Sequence, residues 1–209
     1  MCWSKEVSIS AYLTGLAGCL ALLRNNFIVE AMFFAFVLQV QLAEFFIWKN
    51  QPCGSCREPN NIKASKSALL ITSLEPTVLW FAVLLFAKKK LPQYLNIIMA
   101  MYSLYSVYYI SKLWNKVECI EKTVRSKPHL DWKWPEKEKS SGIYYFLYVL
   151  AFCVLSYYGF HKGAVGVSVI LASFLISLFV YKDKHAVGSM WCFSGALSPW
   201  IVYFSYKLK

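Results

Sequence analysis

The chain has 209 residues, of which 58% are hydrophobic, 18% aromatic and only 16% charged, and its mean hydropathy is positive. That composition lies outside the usual range of a soluble domain of this size and places the chain in a membrane. A formal charge of +11 would suit a nucleic-acid partner in a soluble protein, but here the Lys and Arg fall between apolar runs, where lipid headgroups account for them and nucleic acid is not expected.

Seven runs have spanning length or nearly so: residues 8–23, 27–48, 67–87, 95–113, 142–160, 163–181 and 185–206. They predict an all-α fold, a polytopic integral membrane bundle of seven transmembrane helices forming a single domain over residues 1–209. The first run is short, but its leader holds one lysine and no small-residue cleavage site follows, so it reads as a retained helix and not a signal peptide. Fifteen of the 22 Lys and Arg then fall on the N-terminal side. This bias puts the N-terminus in the cytosol and the C-terminus outside, with Lys88, Lys89 and Lys90 as the exception.

The first helix puts Ala11, Gly15 and Gly18 on one stripe, a packing surface that lets backbones approach closely. The second carries Glu30, Gln39, Gln41 and Glu44 inside an otherwise apolar run. At about 100° per residue, Glu30, Val37, Gln41, Glu44 and Trp48 share a narrow face. A carboxylate in hydrocarbon costs roughly 2.5 kcal/mol or more, so Glu44 is expected to face protein or water. In the connection that follows, Cys53 and Cys56 have a metal or redox spacing. A zinc site would need further ligands from Cys119, His129 or His185, so no metal or other cofactor is expected, and a disulfide fits only if this loop is not cytosolic.

The third helix contains Thr72-Ser73-Leu74-Glu75-Pro76. Proline removes a backbone donor and frees a carbonyl one turn earlier, and an opened helix beside a carboxylate is a place to hold a cation or proton. The bland alternative is a kink satisfied locally, with Glu75 bonded to the second helix. The fourth helix gathers Tyr102, Tyr105, Ser106, Tyr109 and Lys112 within about a third of its circumference. Those hydroxyls are placed to bridge the two glutamates, with Lys112 as a possible counter-ion, or else to pack as a ladder while Lys112 reaches the surface.

Residues 114–141 form the longest polar connection. Trp114, Val117, Ile120 and Val124 recur at helical spacing, which predicts a short helix lying in the interface. Trp132 and Trp134 flank Lys133 in a compact aromatic turn, expected to anchor at the interface and otherwise to cover the bundle mouth or dock a partner. The sixth helix offers a small face in Gly166, Ser173 and Ser177. The seventh places Gly188, Cys192, Gly195 and Pro199 on a small stripe. Leu197-Ser198-Pro199-Trp200 there loosely repeats Leu74-Glu75-Pro76 of the third helix. Two parallel triplets joined by the fourth helix, the arrangement of the small seven-helix sugar transporters, would explain that match.

Catalysis finds little support. There is no serine-histidine-acid pattern, phosphate loop or HExxH, and His129, His161 and His185 lie at or outside helix ends. Cys2 is the one candidate nucleophile and has no positioned base beside it in sequence.

Met1-Cys2-Trp3-Ser4, the run Gln41 to Asn50, the stretch Asn61 to Pro76, Leu130-Asp131-Trp132-Lys133-Trp134 and Gly188-Ser189-Met190-Trp191-Cys192 together resemble a family of small multi-pass membrane proteins that begin MCWS. That family occurs in large DNA viruses of algae and protists and in some cells. The resemblance covers most of the chain and implies a fold, residence in a host-cell or virion membrane, and no particular activity. The family pattern has glutamine before the third-helix proline, where this chain has Glu75, and methionine where Val40 stands; the resemblance thus implies that an ionised carboxylate at 75 is not essential, which weakens a proton relay through Glu75 and favours Glu44 and Gln41. Gln41 and Glu44 match it.

These residues predict a channel or transporter for a small ion or solute, with Glu44 as the polar centre and Gln41, Glu75, Tyr102 and Tyr109 around it. The alternative is a non-catalytic receptor-like or viral structural membrane protein in which the same groups only fix helix register. A permeation site must be wet from both faces, whereas a clamp is dry.

Overall fold

The computed structural model describes residues 4–51, 58–122, 129–133, 138–180 and 184–208, with backbone alone at 184–186. The described residues form eight α-helices: α1 Lys5–Arg24, α2 Ile28–Val37, α3 Gln39–Lys49, α4 Pro59–Phe86, α5 Gln93–Trp114, α6 Ser141–Gly159, α7 Gly163–Val180 and α8 Lys184–Lys207. Leu38 between α2 and α3 keeps a right-handed helical backbone, so the two make one rod matching the second apolar run. α1 starts on the Ser4 hydroxyl, which accepts from Val7 N at 3.3 Å, as an N-cap should. α4 starts at Pro59, about two turns ahead of its apolar run, because proline suits the first helical position and Glu58 caps it.

Five stretches are long and apolar enough to cross a membrane: Lys5–Arg24, Ile28–Lys49, Pro59–Phe86, Ser141–Gly159 and Gly163–Val180. The chain is therefore a membrane-embedded, all-helical protein. Its outer face agrees, with Leu85, Leu104, Phe146 and Phe179 each at least 68% exposed, a surface that water would not tolerate and lipid does.

The helices follow one another around a ring. α1 packs on the α2–α3 rod, the rod on α4, α4 on α6, α6 on α7, α7 on α8, and α8 returns to α1, while α5 lies outside against α4. The closing contact is intimate. A side-chain carbon added at Gly15 would lie 2.9 Å from the Ala196 carbonyl oxygen, and one at Gly18 would lie 2.8 Å from Pro199 Cβ. Trp200 Nε1 also donates to Thr14 O at 2.8 Å. The small stripe of α8 is divided among neighbours: Gly195 faces Val37 and Gly188 faces the Trp132 ring.

At the end of the bundle that holds Ser4, part of the long connection folds over the helices as a cap. Asn61 organises it from the first turn of α4. Its Oδ1 accepts from Ile120 N at 2.9 Å, and its Nδ2 donates to Ile120 O and Asn50 O, each at 3.1 Å. Gln51 repeats the motif, accepting from Lys122 N at 2.8 Å and donating to Ile120 O at 3.2 Å. Lys122 and Leu130 form an antiparallel bridge, and Val117, Ile120, Leu130 and Trp132 are buried beneath it. Two expectations are corrected here. Residues 117–121 are not helical, because the Asn61 and Gln51 amides take up backbone groups that an interfacial helix would use internally. Trp132 packs inward on Gly188 and does not anchor at the interface. Val124 and Trp134 lie outside the described residues. Lys116 Nζ lies 3.1 Å from Glu138 beside the cap, and that hydrogen bond holds the Glu138 carboxyl below its usual range, an exposed pair that adds little to stability.

At the opposite end, Glu30 is 2% exposed and accepts from His161 N at 2.6 Å and the Tyr206 hydroxyl at 2.8 Å. It ties the start of α2 to the α6–α7 turn and the end of α8. Lys207 Nζ reaches Asn25 Oδ1 at 2.8 Å. Asn26 turns the chain with a φ of 61°, a conformation asparagine tolerates better than most residues.

Candidate functional site

α4 and α8 each contain an interior proline, Pro76 and Pro199. The residues just before them, Glu75 and Ser198, line the same small cavity of about 40 Å³, whose walls include Phe33 and Val37 of α2, Tyr148 and Phe152 of α6, Ser173 of α7 and Cys192 of α8. A water needs at least about 10–15 Å³ by this kind of measure, so two or three fit.

Glu75 is 4% exposed. The Tyr148 hydroxyl donates to its Oε2, and its Oε1 has no partner among the described residues. The other polar wall groups are engaged. Ser198 Oγ donates back to Ser194 O at 3.0 Å, as serines in apolar helices commonly do. Ser173 Oγ donates to Ile170 O at 2.9 Å and accepts from Trp191 Nε1 at 2.9 Å.

Beside the cavity, α5 and α6 share a tyrosine network. Tyr109 and Tyr144 stack with centroids 3.8 Å apart and planes within 7°. Tyr109 Oη pairs with Ser141 Oγ at 2.8 Å, and Tyr144 Oη donates to Ser73 O at 3.0 Å and Ser106 Oγ at 3.3 Å. Ser73 is one residue beyond the carbonyl that Pro76 deprives of its helical donor. Thr72 Oγ1 meanwhile bonds Ala68 O at 2.8 Å.

On α5, Tyr109 bonds Ser141 and the Tyr102 hydroxyl makes no hydrogen bond among the described residues, so neither bridges two glutamates. Tyr102 is buried with its ring 6.1 Å from Tyr144. Glu75 is held by α6, not by the second helix. Lys112 is exposed, with its ammonium 5.4 Å from the Tyr108 ring centroid, so it is not the counter-ion of a buried carboxylate. Its long stem carries the charge outward, where solvation is cheap. Gln41 and Glu44 are fully buried on α3, and neither is among the residues lining the cavity.

Cys53 and Cys56 lie outside the described residues. Cys119 is disulfide-bonded, so its thiol cannot serve the zinc site considered above. The described residues hold no group of three His, Cys, Asp or Glu placed for a metal. Tyr148 escaped the sequence reading, although Ser141, Tyr144, Tyr148 and Phe152 recur at helical spacing and so announce one polar-aromatic face. No family model, curated protein or solved structure matches the chain.

Proposed function

We propose that the protein is a seven-span transporter or channel for a small ion or solute, held in a closed form, with its site in the Glu75–Ser198 cavity. The observation that carries this reading is that two helices with an interior proline, from opposite halves of the chain, present their preceding residues to one water-sized space. α5 and α8 complete the seven spans: they have 22 and 24 residues, about 33 Å or more at 1.5 Å per residue. α4 packs on α6 and α8 on α1, the two joints that a pair of parallel triplets about a two-fold axis along the membrane normal would form. Binding at the meeting of two repeats is how many transporters are built.

The clamp alternative fits a different part of the molecule. Tyr109 with Ser141, and Tyr144 with Ser73 and Ser106, are satisfied pairs that fix the register of α4, α5 and α6. Glu75 Oε1 is not such a group. Uptake by vesicles containing the purified protein tests the reading: ion or solute entry above that of empty vesicles supports it, and entry no greater over a panel of ions and small polar solutes overturns it.

The disulfide at Cys119 also bears on orientation. Structural disulfides persist in oxidising compartments, so we infer that the cap end faces the cell exterior or a lumen, in a host-cell or virion membrane as the family resemblance implies, and the C-terminus faces the cytosol. This reverses the orientation read from Lys and Arg. An epitope placed after Lys209 is expected to stain only after selective permeabilisation of the plasma membrane. Staining of intact cells would restore the charge-based orientation.

A further inference from the structure

We propose that the species handled at this cavity is the proton, taken up by the Glu75 carboxylate, and neither a metal cation nor an organic solute. This rests on the transport reading and names its substrate. In this closed form a solute does not fit: a cavity of about 40 Å³ is several-fold smaller than the roughly 300 Å³ or more of a typical small-molecule site.

Oxygen supply excludes the metal. Hard cations such as Mg²⁺ and Ca²⁺ take about six to eight oxygen ligands. The side-chain oxygens on the wall are those of Glu75, Tyr148, Ser173 and Ser198. Tyr148 donates to Glu75, Ser198 to Ser194 O, and Ser173 is held between Ile170 O and Trp191 Nε1. What remains is one carboxylate oxygen, the Gly195 carbonyl that Pro199 leaves without its helical donor, and room for two or three waters, still short of such a shell.

A proton needs only one acceptor and a water to bring it. Glu75 Oε1 is that acceptor, buried and without a protein partner among the described residues. Hydronium in the cavity transfers its proton to Oε1, forming an O–H bond and leaving water. Release reverses the step to a water on the other side, and no electrons change hands. Tyr148, donating to Oε2, is a positioning residue that fixes the carboxyl while Oε1 reacts. The titratable groups around Glu75 are Tyr144 and Tyr148 of α6, Tyr102 of α5 and, across the cavity, Cys192 of α8. Among the described residues no Lys, Arg or His lines the space, so none of these competes for the site. On the α2–α3 rod, Glu30 is engaged at the far end and Glu44 lies off the cavity wall.

The test uses purified full-length protein in liposomes with an internal pH dye, a potassium diffusion potential, and parallel tracer uptake of Na⁺, K⁺ and a panel of small polar solutes. Wild type is expected to move protons. Glu75→Gln is isosteric, keeps an acceptor for Tyr148, and is expected to lower proton flux at least tenfold while eluting as a folded, monodisperse species. Tyr148→Phe is expected to retain flux with a displaced pH midpoint, a change that a purely structural role would not produce. Infrared difference spectra across a pH jump supply a readout independent of flux: a protonated-carboxyl band present in wild type and absent in Glu75→Gln. Na⁺, K⁺ or solute uptake without proton movement, or proton flux and the infrared band both surviving in Glu75→Gln, would overturn the proton assignment and leave transport standing. Absence of all flux in wild type would overturn the transport reading itself.

Discussion

Asn61→Leu is expected to destabilise the protein by on the order of 3 kcal/mol, although the new side chain is as apolar as its surroundings. Asn61 is fully buried and engages both backbone groups of Ile120, which is itself 2% exposed. Leucine would leave the Ile120 N–H without its acceptor, and a buried orphaned donor costs roughly 1–3 kcal/mol, with the lost donations to Asn50 O and Ile120 O added. Asn61→Asp keeps the acceptor but sets a carboxylate against the Ile47, Asn50 and Ile120 carbonyl oxygens that Nδ2 now serves, so it is expected to fare no better. Thermal unfolding in detergent, followed by tryptophan fluorescence, reads the change. A melting point within about a degree of wild type for both variants would mean that the cap does not depend on this residue.

Ser198→Val is expected to reduce transport at least tenfold while leaving the fold intact. The substitution adds roughly one methyl group to the wall of a cavity of about 40 Å³, removing the room of at least one water and a polar edge with it. The lost hydroxyl donates only to Ser194 O, a carbonyl within its own helix, so no buried group is orphaned. The stability change should stay near 1 kcal/mol or below, as for other near-isosteric swaps with spare volume. Flux into vesicles at equal reconstituted protein is the measurement. Flux equal to wild type would place the path elsewhere.

How much of this was legible in the chain depends on distance along it. Each apolar run lies largely within a helix or the α2–α3 rod, because length and hydropathy are local properties. The small stripe Ala11, Gly15 and Gly18 was readable as a packing face for the same reason. The partners were not readable. Tyr148 meets Glu75 across 73 positions, and Asn61 meets Ile120 across 59. A helical wheel ranks Glu44 and Glu75 alike as buried acids and cannot say which one borders empty space. Helical spacing in Trp114, Val117, Ile120 and Val124 was misleading: Val117 and Ile120 are buried in a non-helical segment that borrows its hydrogen bonds from Asn61 and Gln51. Of the Leu74-Glu75-Pro76 and Leu197-Ser198-Pro199 motifs, it is Glu75 and Ser198 that line one cavity, a meeting that the two stretches, more than a hundred positions apart, do not announce.

Access of water to Cys192 tests the central claim most directly. This residue lines the cavity and carries no disulfide, so it is a native probe needing no substitution. Protein in vesicles would be treated with a small charged methanethiosulfonate on one side, then the other, and Cys192 modification quantified by peptide mass spectrometry. The account predicts modification from each side, slowed by Ser198→Val. Cys192 unmodified from both sides, yet fully modified after unfolding, would show a dry core and contradict it.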